Sequence, residues 1–241
     1  MKSSRALACE FIGTAFLLAT VVGSGALAHK LDAGNVAVTV SSVAIATGCV
    51  LVALILSLGS ISCQLNPIVT LASAIRRELS WKMVAPYLVA QVAGGIFGTV
   101  VANLMFDLPA VVLSTTARTG SGQWIGEIVA TFGLLGVIFG TARANVKAVP
   151  IAVGCYVAGA IWFTSSTCFA NPAVTVARIF TDTICGIRAL DVLPFIAAQL
   201  GGMTLALAFF GWLYAESDDE KLARELREAA TVTDAGEPLR L

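Results

Sequence analysis

Charge is scarce in this 241-residue chain: Asp, Glu, Lys and Arg together make up 12% of it. An ordinary soluble domain carries about 25%, so an extended water-facing surface is excluded. Fifteen basic and fifteen acidic residues cancel. No bulk electrostatic partner follows, and no basic patch suggests nucleic acid. Histidine is almost absent. His29 is the only one, and it falls beside a predicted outer loop, which argues against acid–base catalysis and against an enzyme. The six cysteines lie mostly inside apolar segments. Their spacing suits neither a disulfide framework nor a zinc site, so they read as small buried hydrophobes. No metal and no cofactor is expected.

Hydrophobic residues make up 57% of the chain, and several apolar runs reach the roughly 20 residues that cross a bilayer. The expectation is an all-α, multi-pass membrane protein. Six spans are predicted at about 5–28, 39–58, 83–106, 123–142, 148–165 and 192–215. The first lacks a clear small-residue cleavage site and reads as a retained helix, not a signal peptide. Two further apolar segments, 66–75 and 171–181, are too short to span and read as re-entrant half-helices. From Glu216 onward the chain is a charged tail, predicted to be a short helix followed by disorder.

Basic residues set the orientation. With the N-terminus in the cytoplasm, Lys2, Arg5, Arg76, Arg77, Lys82, Arg143 and Lys147 lie inside, against Lys30, Arg118, Arg178 and Arg188 outside. An even number of spans then places both termini, and the 216–241 tail, in the cytoplasm.

The chain repeats itself. Cys63-Gln64-Leu65-Asn66-Pro67-Ile68-Val69-Thr70 returns as Cys168-Phe169-Ala170-Asn171-Pro172-Ala173-Val174-Thr175. Glu10-Phe11-Ile12-Gly13-Thr14 echoes Glu127-Ile128-Val129-Ala130-Thr131, and Pro86 to Gln91 echoes Pro194 to Gln199. The halves run over about 1–106 and 123–215 within a 1–215 domain. Each holds three spans, so the second copy enters the membrane upside down, an inverted repeat. Gly94-x-x-x-Gly98 and Gly136-x-x-x-Gly140 fit close helix packing.

Asn is a good N-cap and Pro suits the first helical position. Asn66-Pro67 and Asn171-Pro172 therefore start the two half-helices, and inversion sets those starts end to end near the midplane. The stretches before them, 60–65 and 164–170, must be non-helical at membrane depth. That is tolerated only where backbone is buried in protein or lines a watery path. Their carbonyls would form a ladder of acceptors, with the Asn66 and Asn171 amides as central donors. Two facing helix N-termini repel cations, whereas a neutral hydroxylated solute passes by exchanging hydrogen bonds.

This pattern resembles the aquaporin, or major intrinsic protein, family over nearly the whole chain to about Ala215. The resemblance rests on Glu10, Glu127, Gln91, Gln199 and the paired motifs Asn66-Pro67-Ile68 and Asn171-Pro172-Ala173, with Ile68 where Ala is usual. It implies six spans and two half-helices, a homotetramer with one pore per subunit in the cell's inner (plasma) membrane, and support of the loop backbones by Glu10 and Glu127. It also implies an outer constriction with an arginine directly after the second Asn-Pro-Ala. Here that position is Val174. The other three positions carry over as Cys168, as Thr47 or else Ala46, and as Gly159 or Ile161. Arg178, one turn further on, reads as snorkelling to the outer interface.

Losing an arginine removes fixed donors and a charge from the narrowest point, which predicts a wider, less polar and more permissive filter. The chain is similar to aquaglyceroporin-like channels of bacterial arsenic-resistance systems. That similarity implies a passive channel in the lipid bilayer for small neutral solutes: water, glycerol, arsenite or antimonite, and methylated arsenicals. A plain water or glycerol channel is one alternative. A secondary transporter with broken helices is another, against which no paired ion-coupling groups appear beyond Glu10 and Glu127. Cys168 reads as a weakly polar lining rather than an arsenic-capturing thiol, since capture would block flux.

Overall fold

The computed structural model describes residues 2–215, and the charged tail lies outside the described residues. Eight α-helices follow in order: α1 (Lys2–Leu31), α2 (Val36–Leu58), α3 (Pro67–Ile75), α4 (Trp81–Met105), α5 (Ser121–Asn145), α6 (Val149–Phe163), α7 (Pro172–Ala177) and α8 (Val192–Leu213). No strand occurs among the described residues. Six helices are long and two are short, and the short ones begin at the two Asn-Pro motifs.

Five apolar helical stretches are long enough to cross a bilayer, the fourth running unbroken from Ser121 to Phe163 over 43 residues. At 1.5 Å per residue that stretch would be about 65 Å long if straight, twice a hydrocarbon core. It is instead folded back at Asn145. The Asn145 backbone is extended (φ −160°, ψ 98°), and its side chain accepts from Lys147 N across a 3₁₀ turn before Pro150 opens α6. The six expected spans are therefore present.

Glycines bring the long helices together in pairs. A Cβ on Gly94 or Gly98 of α4 would overlap the carbonyl oxygens of Phe11 and Ala15 on α1. A Cβ on Gly202 of α8 would lie 2.6 Å from Ile128 O on α5. These two contacts are equivalent under the repeat. Between the halves, a Cβ on Gly48 of α2 would stand 2.7 Å from Gly154 O on α6. Close backbone approach of this kind lets dispersion and packing hold helices together where lipid removes the hydrophobic drive.

The face where α1 begins is here the near face, and the face where it ends is the far face. On the far face His29 closes α1, its Nδ1 2.9 Å from Asp32 Oδ2. The extended 106–120 connection crosses over the end of α7: Ser114 N donates to Ile179 O at 2.8 Å, and Thr115 N to Asp182 Oδ1 at 2.8 Å. Asn103 ties the same region together. Its Nδ2 donates to Phe180 O, and its Oδ1 accepts from Thr181 Oγ1.

Candidate functional site

Both half-helices begin as their sequences dictate. Asn66 and Asn171 have extended backbones and cap α3 and α7, with Asn66 Oδ1 accepting from Ile68 N at 2.9 Å and Asn171 Oδ1 from Ala173 N at 2.9 Å. Thr70 and Thr175 each return a hydroxyl to the Asn carbonyl one turn back. The two starts are tied to each other crosswise. Asn66 Nδ2 donates to Ala170 O and Asn171 Nδ2 to Leu65 O, both at 2.8 Å. Each amide keeps a second N–H beyond that bond.

The loops leading to the motifs are held by buried carboxylates. Glu10, fully buried, accepts from Gln64 N at 2.8 Å and Leu65 N at 2.7 Å, and from Ser62 Oγ and Gln91 Nε2. Glu127, also fully buried, accepts from Phe169 N at 2.9 Å, Ala170 N at 2.8 Å and Gln199 Nε2 at 2.6 Å. Gln91 and Gln199 in turn each donate to a half-helix threonine, Thr70 and Thr175. With the loop N–H groups taken by carboxylates, the carbonyls are left over. Those of Leu65 and Ala170 receive the crossed amides. Those of Cys63, Gln64, Thr167, Cys168 and Phe169 find no donor among the described residues, and all five residues line one cavity.

The loops reach this shape through left-handed backbone. Leu65 (φ 53°) and Ala170 (φ 44°) occupy equivalent places directly before the asparagines, and Thr167 (59°) and Cys168 (51°) add two more in the second loop. Non-glycine residues pay about 1–2 kcal/mol each for that region. The carboxylate anchors hold them there.

The cavity has a volume of about 360 Å³ and runs past both motifs. Its wall includes Asn66 and Asn171 and, on either side of them, Val69 and Val174. Apolar side chains of α2 and α6, among them Val43, Leu51, Ile55, Val153 and Val157, complete it. Of the candidate constriction residues, Thr47, Ile161, Cys168 and Val174 line the cavity. Thr47 is buried, and its Oγ1 has no hydrogen-bond partner among the described residues. Ala46 is absent from the wall. Gly159 is exposed, with nothing within 4 Å of a Cβ placed on it, and faces away from the cavity. Pro67, Ile68, Pro172 and Ala173 sit behind the wall, at the roots of the half-helices.

Arg178 departs from expectation. It does not snorkel to a lipid interface: it is 5% exposed and lines the cavity. Because α7 ends at Ala177, the turn carrying Arg178 is still inside the protein, covered by the 106–120 and 181–191 connections. Its Nε donates to Cys185 O, and its guanidinium lies 3.5 Å from the Phe169 ring centroid.

Sequence reasoning missed Arg118 and Phe169. Arg118, the only cation of the 106–120 connection, also lines the cavity. It donates to Gly186 O at 2.7 Å and Ile184 O at 2.9 Å, and sits 5.0 Å from the same Phe169 ring. Burial lowers its pKa from the ordinary arginine value. A lone arginine in an otherwise nearly uncharged connection was the available signal. Among the described residues no cluster of His, Cys, Asp and Glu is arranged to hold a metal.

Comparison with known proteins agrees with this geometry. The family profile described as "Major intrinsic protein" matches residues 1–168. The chain is 46% identical over 211 residues to Aquaglyceroporin AqpS of Rhizobium meliloti (strain 1021), covering 87% of this chain and 90% of that one. It is 30% identical to Probable aquaporin NIP4-2 of Arabidopsis thaliana, covering 95% of this chain and 80% of that one. Among solved structures, the X-ray structure of the aquaglyceroporin from Plasmodium falciparum superposes with a TM-score of 0.66 over 85% of this chain and 94% of that chain. At 19% identity it bears on the fold alone.

Proposed function

The chain belongs to the major intrinsic protein family, a family of membrane channels and not of enzymes, and from that premise we propose that it is a permissive channel for small neutral hydroxylated solutes, arsenous acid and methylated arsenicals among them. The observation that carries this reading is Val174 in the cavity wall, together with Thr47, Ile161 and Cys168. Where the family resemblance leads one to expect an arginine, this chain offers one hydroxyl, one thiol and two aliphatic side chains. A solute there loses little water-like hydrogen bonding to a fixed cation and meets a wall that tolerates methyl groups.

Passage past the centre is by exchange of hydrogen bonds. The free loop carbonyls accept from the solute's hydroxyls, and the second N–H of Asn66 and of Asn171 donates to its oxygens. The facing starts of α3 and α7 each carry about half a positive charge, which disfavours cations without hindering a neutral molecule. Cys168 serves as lining, since conduction requires weak binding.

In the cell the N-terminus is cytoplasmic, which makes the far face external. The far-face basic residues support this. Arg118 and Arg178 belong to the cavity wall, and Arg188 is paired with Asp191 at 2.8 Å. Few cations therefore remain on that side to meet lipid headgroups, in keeping with the positive-inside bias. The subunit assembles as a homotetramer, with exposed apolar side chains such as Ile45, Leu56, Ile151 and Trp162 meeting neighbouring subunits and lipid.

A proteoliposome panel tests the reading: osmotic water flow, glycerol influx, and uptake of arsenite and methylated arsenicals, each against protein-free vesicles. Passive, gradient-driven uptake of arsenite and at least one methylated arsenical is expected. Passage of water and glycerol alone would make this a plain water and glycerol channel. Uphill uptake driven by a proton gradient would make it a transporter.

A further inference from the structure

Two cations stand in the cavity wall beyond the residues assigned above to passage of a neutral solute. Arg178 is buried and Arg118 half-buried, and both face the far end of the cavity. One short segment holds both: Cys185 O takes Arg178 Nε, and Gly186 O and Ile184 O take Arg118 Nε and Nη2. The Phe169 ring lies against both guanidiniums. These contacts use three of the N–H groups. A guanidinium has five, so both terminal amino groups of Arg178 and one of Arg118 are left without a protein acceptor.

No carboxylate pairs with them. Among the described residues neither arginine is within ion-pair distance of an acid. Of the far-face acids, Asp107 is exposed and in no ion pair among the described residues, and the others are committed elsewhere: Asp32 to Thr39, His29 and Gly34 N, Asp182 to Thr115, and Asp191 to the Arg188 side chain and the Arg118 backbone N–H. Two guanidiniums against one ring, stripped of much of their water and without a paired carboxylate, are costly unless something anionic sits with them. The two free terminal amino groups of Arg178 form a fork, the free amino group of Arg118 adds a further donor, and forked N–H donors match the oxygens of a small oxyanion.

We propose that Arg118 and Arg178 form a binding site for a small tetrahedral oxyanion at the far mouth of the cavity, one helical turn beyond Val174 and in the path of the solute. The positive charge absent at position 174 is thereby carried four residues further along the chain, in the turn that follows the half-helix. An oxyanion bound there narrows the route that neutral molecules take, so external oxyanion acts as a brake on their passage. The site rests on its own geometry and not on which neutral solute is physiological.

The test uses the full-length protein in detergent, titrated calorimetrically with inorganic phosphate and, separately, sulfate, with ionic strength held constant by gluconate. Saturable binding is expected, weakened at least tenfold by Arg118→Gln, a change in a half-buried connection. Arg178→Lys, which keeps the charge but loses the fork, should weaken binding several-fold. In proteoliposomes, phosphate added outside should slow glycerol influx through the wild type and slow it less through Arg118→Gln. Absence of saturable binding, or undiminished binding by Arg118→Gln, would overturn the site. Binding that leaves glycerol influx untouched would overturn its placement in the path. Binding without any solute flux would support the site while removing the channel reading, and flux without binding would do the reverse.

Discussion

The side-chain amide of Asn66 donates to the backbone carbonyl of Ala170, 2.8 Å away and 104 residues on. Asn171 returns the same bond to Leu65. Each asparagine thus caps its own half-helix and ties the loop that leads to the other one. The two halves of the inverted repeat are stitched in the wall of the cavity.

Asn66→Ala should therefore cost more than a cap. It removes the acceptor for Ile68 N and leaves Ala170 O without its donor. A lost cap is worth about 1 kcal/mol and an unsatisfied buried group about 1–3 kcal/mol, so a loss of about 2–4 kcal/mol is expected. Asn171→Ala should behave alike, and the double variant should fall short of the sum because the two bonds share one seam. Chemical unfolding in detergent measures all three. A loss confined to the cap value in each single variant would mean that the crossed bonds hold nothing.

Glu127→Gln tests the loop anchors. The carboxylate accepts from Phe169 N, Ala170 N and Gln199 Nε2. An amide of the same shape turns one acceptor oxygen into a donor facing an N–H. With charge-assisted bonds worth about 1.5–3 kcal/mol each, a destabilisation of about 2–3 kcal/mol is expected, along with reduced flux as the loop that is left-handed at Thr167, Cys168 and Ala170 loses its anchor. Glu10→Gln should act equivalently on Gln64 and Leu65. Unchanged thermal stability in both variants would refute the anchoring role.

What could be read in advance follows from how local each determinant is. The half-helices were legible because Asn, Pro and a short apolar run are adjacent in sequence and act on their own backbone. Glu10 and Glu127 could be paired only through the repetition of one half in the other, since their partners lie more than forty residues away. The left-handed residues left no trace: Leu65, Thr167, Cys168 and Ala170 are not glycines, and long-range bonds impose their conformation. Arg178 was misplaced for a similar reason. Its burial depends on the 106–120 connection folding over α7, and Arg118 reaches it through carbonyls about 68 residues distant. The alternatives Gly159 and Ile161 differ by two residues, or 200° around α6. Only the phase of that helix, set by the Asn145 turn, distinguishes them.

That phase is itself testable. Gly159 faces away from the cavity with open space around it, whereas Ile161 is 6% exposed and lines it. Gly159→Ala should leave glycerol and arsenite uptake unchanged while raising stability by about 0.5–1 kcal/mol, the ordinary gain inside a helix. Ile161→Ala should widen the cavity and increase uptake of the bulkier methylated arsenicals several-fold. Opposite responses, with Gly159→Ala altering selectivity and Ile161→Ala silent, would rotate α6 away from the arrangement described.

Val174→Arg addresses the proposed constriction directly. Val174 is 6% exposed and shares the cavity wall with Thr47, Ile161 and Cys168. An arginine there inserts a long side chain and five fixed donors where two methyl groups now stand. It also places a further cation four residues before Arg178 in the same cavity wall, and like-charge repulsion pushes the new guanidinium toward the open cavity. Both effects act against large or methylated solutes more than against water. The ratio of water flow to methylated-arsenical uptake is expected to rise at least tenfold, equivalent to about 1.4 kcal/mol of added barrier for the larger solute. Stopped-flow water permeability and arsenical uptake, measured on the same proteoliposome preparation, give that ratio without depending on how much protein was inserted. An unchanged ratio would mean that position 174 lies outside the narrowest part of the path, and the selectivity would then have to come from the neighbouring level of Arg118 and Arg178.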